Sequence, residues 1–262
     1  MRRYHCLVPR FSLGVMEEAL AHDGVLTLHH SVERFQEALN CEPGSVAVVD
    51  PAHLGQDGPD LLLSVAGTQV ALILTTFLTP SSASVLLHGL TLRADAIVLL
   101  PHDNNEHIRQ SFLQPGARAL QLRILSALAP RLAKLPDVVV SGVLLALHGH
   151  NLITSVKSLA AFCGTSTRSI ERSFECINVA PTQLLSCARF LRARMACDWR
   201  WAPVDVARFS GYAQPQALWR AVRMQLDMEP VAFKGAGQGP FVALLLDTLA
   251  IADRTCMPRE CD

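Results

Sequence analysis

The chain has 262 residues, enough for two modest domains that each bury a core, and its 23 lysines and arginines are balanced by 23 aspartates and glutamates. Half of the residues are hydrophobic, but the most lipid-like run, residues 65–85, is broken by Gly67, Gln69, Thr75, Thr76, Thr79 and Pro80, which excludes a membrane-spanning helix. Two arginines at the N-terminus are followed by no signal-peptide core and no small-residue cleavage site, so the expectation is a cytoplasmic protein without a membrane partner.

In the first hundred residues, short apolar runs at 5–8, 25–28, 45–49, 70–74 and 96–99 read as strands. Between them, segments 13–21, 32–39, 61–66 and 83–92 carry apolar residues near helical spacing. Five βα units therefore fit before residue 102, and the strands are apolar throughout, as expected of a five-stranded parallel sheet covered by helices on both faces. Asp50 ends the third strand, Thr75 and Thr76 end the fourth and Pro101 follows the fifth. In this order the segment resembles a response-regulator receiver domain, which implies a site at the carboxyl ends of the strands with Asp50 in the phosphoacceptor position. Where a receiver has the acidic pair that holds magnesium, this chain has Pro9 and Arg10, and Leu100 stands in place of the lysine. Asp50 is accordingly read as a strand-end or turn-capping aspartate. The domain is read as a degenerate, non-phosphorylated receiver that dimerises, docks on a partner protein or binds a small-molecule effector.

A polar stretch at 102–107 follows, and after Pro115-Gly116 no strand signal remains. Residues 117–135 read as a linker helix whose stripe Leu120, Ile124, Leu128 and Leu132 packs either on the first domain or on a second copy of the chain. From 151 to 234 there are eleven lysines and arginines against six acidic residues, a net charge of +5, whereas residues 1–136 carry ten against twelve. A basic module for a polyanion, joined to a neutral regulatory one, is the implication.

Residues 155–163 read as a short amphipathic helix with Gly164 as its stop, and Ser166 as the cap of a second helix through Thr167, Arg168, Ile170, Arg172 and Phe174. Leu159, Ala160, Cys163, Ile170 and Phe174 point inward, leaving Thr167, Arg168, Glu171 and Arg172 outward. The pattern recurs: residues 203–211 repeat the first helix and its glycine, residues 212–222 repeat the second, and a continuous helix at 182–199 with Arg189, Arg192 and Arg194 lies between. Pro203 and Pro215 sit where proline starts a helix with little penalty. Arginines on such a helix are usually solvated charges; Arg192 is assigned to phosphate contact, and Arg189 to either solvent or an internal brace.

Residues 138–234 resemble the AraC/XylS family of transcription regulators. Ser166–Phe174 is similar to that family's first recognition helix, Val179-Ala-Pro-Thr-Gln-Leu-Leu185 to its "G-x-S-P-x-x-Y-L" turn, and Arg189-Phe-Leu-Arg-Ala193 to "R-L-x-x-A". Val204–Ala207 with Gly211-Tyr212 stands for "I-x-x-I-A-x-x-x-G-F", and Met228-Glu-Pro230 closes the pattern. Val179, Ala180, Gln214 and Val222 depart from it. The resemblance implies two recognition helices in successive major grooves of double-stranded DNA, with Arg168, Glu171 and Arg172 facing bases in the first unit and Gln216, Trp219 and Arg220 in the second. It further implies RNA polymerase and a second copy of the chain (a homodimer) as partners, and no cofactor.

The remaining features carry less. His29-His30 and His148-Gly-His150 lack further ligands at zinc-site spacing and read as surface histidines, so no metal is expected. Eight cysteines, among them Cys256 and Cys261 near the C-terminus, form no CxxC pair and read as reduced thiols. No GxSxG, P-loop or GxGxxG is present, and no enzyme activity is expected. Residues 241–252, after the glycine-rich 235–239, form a helix candidate that covers the sheet or the linker, or makes a dimer contact. The organisation expected is a regulatory α/β domain at 1–113, a linker helix at 114–136, a helical DNA-binding domain with two helix-turn-helix units at 137–234, and a tail at 235–262. The alternative is a protein-interaction module whose helical half no longer reads DNA.

Overall fold

Strands form where Val, Leu and Ile cluster between turn residues: β1 (Arg2–Leu7), β2 (Gly24–Leu28), β3 (Val46–Val49), β4 (Ala71–Phe77) and β5 (Ala96–Leu100). The structure is a computed structural model that describes residues 2–249, apart from 22, 43, 55–57, 67, 69, 93, 116–118, 134, 149–152 and 176–177. The strands form one parallel sheet in the order β2-β1-β3-β4-β5. Helices α1 (Arg10–Leu20), α2 (Val32–Cys41), α3 (Gly58–Ala66), α4 (Pro80–Leu92) and α5 (Asn105–Leu113) connect or follow them. Helix α1 packs with α5 and α3 with α4, as expected if right-handed crossovers in this strand order put α1 and α5 on one face and α2, α3 and α4 on the other. The α1/α5 face encloses Tyr4, Met16, Leu20, Val48, Ile108 and Phe112, with the Tyr4 and Phe112 rings 5.1 Å apart.

Two strands outrun their apolar cores. β1 begins at the exposed Arg2 and Arg3, which pair with Gly24 and Val25 at the sheet's rim, and β4 continues through Thr75, Thr76 and Phe77 alongside Val98, Leu99 and Leu100. The polar run after Pro101 contains a helix start: Asn104 accepts the His107 N–H at 2.8 Å, and α5 turns Ile108 and Phe112 inward.

The chain divides into two units, Met1–Ala133 and Lys134–Asp262. The helix expected as a linker, α6 (Ala119–Leu132), falls in the first. Its stripe Leu120, Ile124, Leu128 and Leu132 is buried, it packs along α4, and Ser126 Oγ donates to the Leu90 carbonyl at 3.0 Å.

The second unit is all helical among its described residues: α7 (Asp137–His148), α8 (Val156–Phe162), α9 (Thr167–Glu175), α10 (Pro181–Asp198), α11 (Pro203–Phe209), α12 (Pro215–Leu226), α13 (Pro230–Gly235) and α14 (Gln238–Leu249). The long α10 is its axis, buried on most of its circumference and packed against α7, α11, α13 and α14. Helix α14 completes the core around α10: Phe241 and Leu245 are buried, and the Phe241 ring meets that of Phe233 edge-on at 5.5 Å. The architecture is thus a parallel α/β unit followed by an all-α unit. No helix among the described residues is long and apolar enough to cross a membrane.

Candidate functional site

The first helix pair is fixed by its caps. Ser155 Oγ accepts the Ser158 N–H at 3.1 Å while Ser158 Oγ accepts the Ser155 N–H at 3.2 Å, a reciprocal box that starts α8. Gly164, at φ +65°, takes the left-handed turn that ends it. Ser166 Oγ then accepts the Ser169 N–H at 3.1 Å and starts α9. Ile170 and Phe174 are fully buried, and the opposite face holds Arg168, Glu171 and Arg172, all exposed, with Thr167 half-buried in the first turn. Glu171 makes no ion pair with Arg168 or Lys157. Helix α7 closes over Phe174 at Gly142, where a Cβ would lie 3.1 Å from the ring.

The second pair repeats the plan with a weaker start. Pro203 opens α11, whose Val206 and Ala207 are buried, and Gly211 turns the chain at φ +81°. Gln214 occupies the cap position of α12 with extended backbone, but its side chain makes no capping hydrogen bond. Leu218, Val222 and Leu226 point inward, and Val222 is fully buried. Gln216 and Arg220 are exposed. Trp219 is half-buried: its ring packs edge-on against Phe233 at 5.9 Å, and Lys234 Nζ lies 5.1 Å from its centroid. These residues border a groove of about 460 Å³ lined by Gln216, Trp219, Arg220, Arg223, Met224 and Pro230. Arg223 on its rim is paired with Glu229 at 3.0 Å.

The arginines of α10 depart from the sequence reading. Arg192, expected at the phosphate backbone, is buried and donates to the carbonyl of Ala146 in α7 at 3.3 Å. That carbonyl belongs to the last turn of α7 and has no partner among the described residues of its own helix, so the guanidinium serves as an internal cap. Arg194 is likewise buried, donating to Asp198 Oδ1 at 2.6 Å and to the Ala236 carbonyl, just past α13, at 2.7 Å. Arg189 bridges the two helix pairs: it donates to the Thr154 carbonyl before α8 at 2.7 Å and stacks 5.5 Å from the Tyr212 ring before α12. Burial pushes the Tyr212 hydroxyl up, and Arg189 opposes that shift. Sequence reasoning had one signal for these roles, the position of arginines on a helix that is apolar on most sides.

In the first unit Asp50 is buried at the end of β3, and its Oδ1 accepts the Ala52 N–H at 3.0 Å, capping the short turn Pro51–His53. Burial raises its pKa above the ordinary carboxylate range, against the opposing hydrogen bonds of Ala52 and Thr76. Of the histidines expected at the surface, His30 is exposed, His29 is half-buried and His148 is buried; His29 Nε2 lies 3.0 Å from His5 Nδ1, and His5 Nε2 lies 3.2 Å from Glu42. A neutral His5 that donates to Glu42 through Nε2 accepts from His29 through Nδ1. Burial, with His5 and His30 nearby, lowers the His29 pKa. Burial pushes the thiols of Cys6 and Cys187 up to about 12 and that of Cys163 to about 11, so these cysteines are unreactive. His150, Cys176, Cys256, Cys261 and residues 250–252 of the expected tail helix lie outside the described residues.

Compared with known proteins, the chain matches no family model, no curated protein and no solved structure.

Proposed function

We propose that the chain is a sequence-specific DNA-binding transcription regulator of the AraC/XylS type, located in the cytoplasm and governed by a pseudo-receiver unit that is not phosphorylated. One observation carries the reading. Twice in the helical unit, a helix that follows a left-handed glycine turn buries an apolar stripe and exposes a polar one bearing arginine: Arg168 on α9 and Arg220 on α12. Neither is held in an ion pair by another described residue.

An exposed guanidinium on such a helix matches the O6 and N7 acceptors of guanine in the major groove and contributes about 1–3 kcal/mol of discrimination per bidentate contact. Gln216 offers the amide geometry that suits adenine, Glu171 accepts from cytosine N4, and Arg172 and Thr167 complete the first reading face. Trp219, anchored on Phe233, has only its free edge for a thymine methyl. Double-stranded DNA is the primary partner, with RNA polymerase and a second copy of the chain as further ones.

A gel-shift titration of Arg168→Ala on a site selected with the parent protein tests the reading. Binding weakens by about 1–3 kcal/mol and the unfolding midpoint stays put. Equal affinity of parent and variant overturns the assignment of α9 as a reading helix. A second reading, contact with another protein, is favoured on the α12 side by Met224 and Val231, exposed to 79% and 83% beside the Trp219 groove. Salt separates the two: DNA affinity falls steeply between about 50 and 200 mM, whereas an apolar protein contact changes little.

A further inference from the structure

At the point where the connections on either side of β1 run in opposite directions, an open sheet of this order leaves a crevice at the carboxyl ends of its strands. Here the crevice is a cleft of about 360 Å³. Asp50, His53 and Thr76 are among its polar lining, and Pro9, Phe11 and Phe77 among its apolar lining. Phe11 and Phe77 meet edge to face at 4.8 Å, and Phe11 keeps 61% of its surface exposed. The nearby hydroxyls of Thr79 and Ser82 are engaged in starting α4: Ser82 Oγ accepts the Thr79 N–H at 2.8 Å and Thr79 Oγ1 accepts the Ser82 N–H at 3.2 Å.

Asp50 is the unusual member of this lining. Only 4% of it is exposed, and no lysine or arginine among the described residues pairs with its carboxylate. The exposed His53 and the hydrogen bonds from Ala52 and Thr76 favour its charged form, but burial still disfavours a carboxylate that no lysine or arginine meets, and a partner that brings positive charge and N–H donors relieves that. A divalent metal is a poor candidate, because it requires several oxygen ligands and the residues after β1 are Pro9 and Arg10. An anion would meet the Asp50 carboxylate directly. An organic cation satisfies the acid and also finds, in Phe11 and Phe77, aromatic surface that attracts cations and covers an alkyl chain.

We infer that this cleft binds a small organic cation, an amine or amidine on a short apolar body, with its N–H groups on the Asp50 carboxylate and its body against Phe11 and Phe77. The cleft lies wholly within the α/β unit, so the inference stands independently of what the helical unit binds. It supplies a chemical class for the effector of a regulatory domain.

The test uses the full-length chain and n-butylammonium as the probe, with n-butanol and butyrate as controls of similar shape. Amide resonances of Ala52 and Thr76 report on the cleft. Saturable shifts with butylammonium, at an affinity at least about tenfold above that of either control, are expected. Asp50→Asn keeps the acceptor for the Ala52 N–H and loses the charge, and its butylammonium affinity drops by about tenfold or more. Phe11→Ala, at an exposed position, keeps the fold and weakens binding severalfold, which preserves the test should Asp50→Asn fail to fold. Equal response to amine and alcohol, or amine binding unchanged in both variants, overturns the inference. So does a phosphoryl mass increment on Asp50 after incubation with acetyl phosphate and magnesium, since that makes the cleft a metal site.

Discussion

Arginine serves opposite purposes on the outer and the central helices of the second unit. On α9, Arg168 and Arg172 are exposed, opposite the buried Ile170 and Phe174. On α10, Arg192 and Arg194 are buried and spend their N–H donors on carbonyls at the ends of α7 and α13. A helix leaves its last carbonyls without partners, and a guanidinium fork brought from a neighbouring helix is a strong way to satisfy them in the core. The net charge of +5 over residues 151–234 therefore overstates the charge offered to solvent. The exposed cations lie off α10, among them Lys157, Arg168, Arg172, Arg208 and Arg220.

The sharpest way to break this comparison is to remove a buried arginine. Arg192→Ala leaves the Ala146 carbonyl without its donor and opens a cavity beside α7, and the second unit loses about 2–4 kcal/mol in urea unfolding. Once the fraction folded is taken into account, the salt slope of DNA binding stays as in the parent. A variant as stable as the parent but with a flatter slope would return Arg192 to the phosphate backbone. Arg168→Ala has the opposite signature, unchanged stability and weaker specific binding.

Gly164 offers a smaller effect on the turn between α8 and α9. Space around it is open, so Gly164→Ala meets no neighbour, and only the φ of +65° is penalised. The variant loses about 1–2 kcal/mol, read as a lower midpoint in thermal or urea unfolding. A loss near zero would mean that the turn relaxes to another conformation and that the spacing of the first helix pair is not set by this glycine.

Much of the fold was legible because its signals are local. The apolar runs before residue 102 became five parallel strands, and Ser166 and Gly164 announced the start of α9 and the end of α8. What escaped depends on partners distant in sequence. Arg192 reads as a solvated charge until α7 supplies Ala146, 46 residues away. His29 gives no sign of a partner until β1 brings His5 beside it and Glu42 meets His5. Trp219 reads as an outward residue of α12, but Phe233 of α13 draws its ring partly inward. The first helix pair of the site was the more legible because serines mark both of its helix starts, whereas the second has alanine and glutamine there.

That last contrast yields the smallest and most specific prediction. Gln214 already has the extended backbone of a cap residue, at φ −145° and ψ 149°, and Pro215 follows it as the first helical residue. Only a side-chain oxygen of the right reach is missing, since glutamine is one methylene too long to accept from the N–H groups of its own first turn. Gln214→Ser or Gln214→Asp supplies that acceptor, and each stabilises the second unit by about 0.5–1 kcal/mol, visible as a raised urea midpoint with an unchanged slope. Aspartate adds attraction to the positive end of the helix and exceeds serine at low salt, a margin that closes as salt is raised. A neutral result for both would mean that α12 is held by Leu218, Val222 and Phe233 alone, and that the two helix pairs differ in packing more than in their starts.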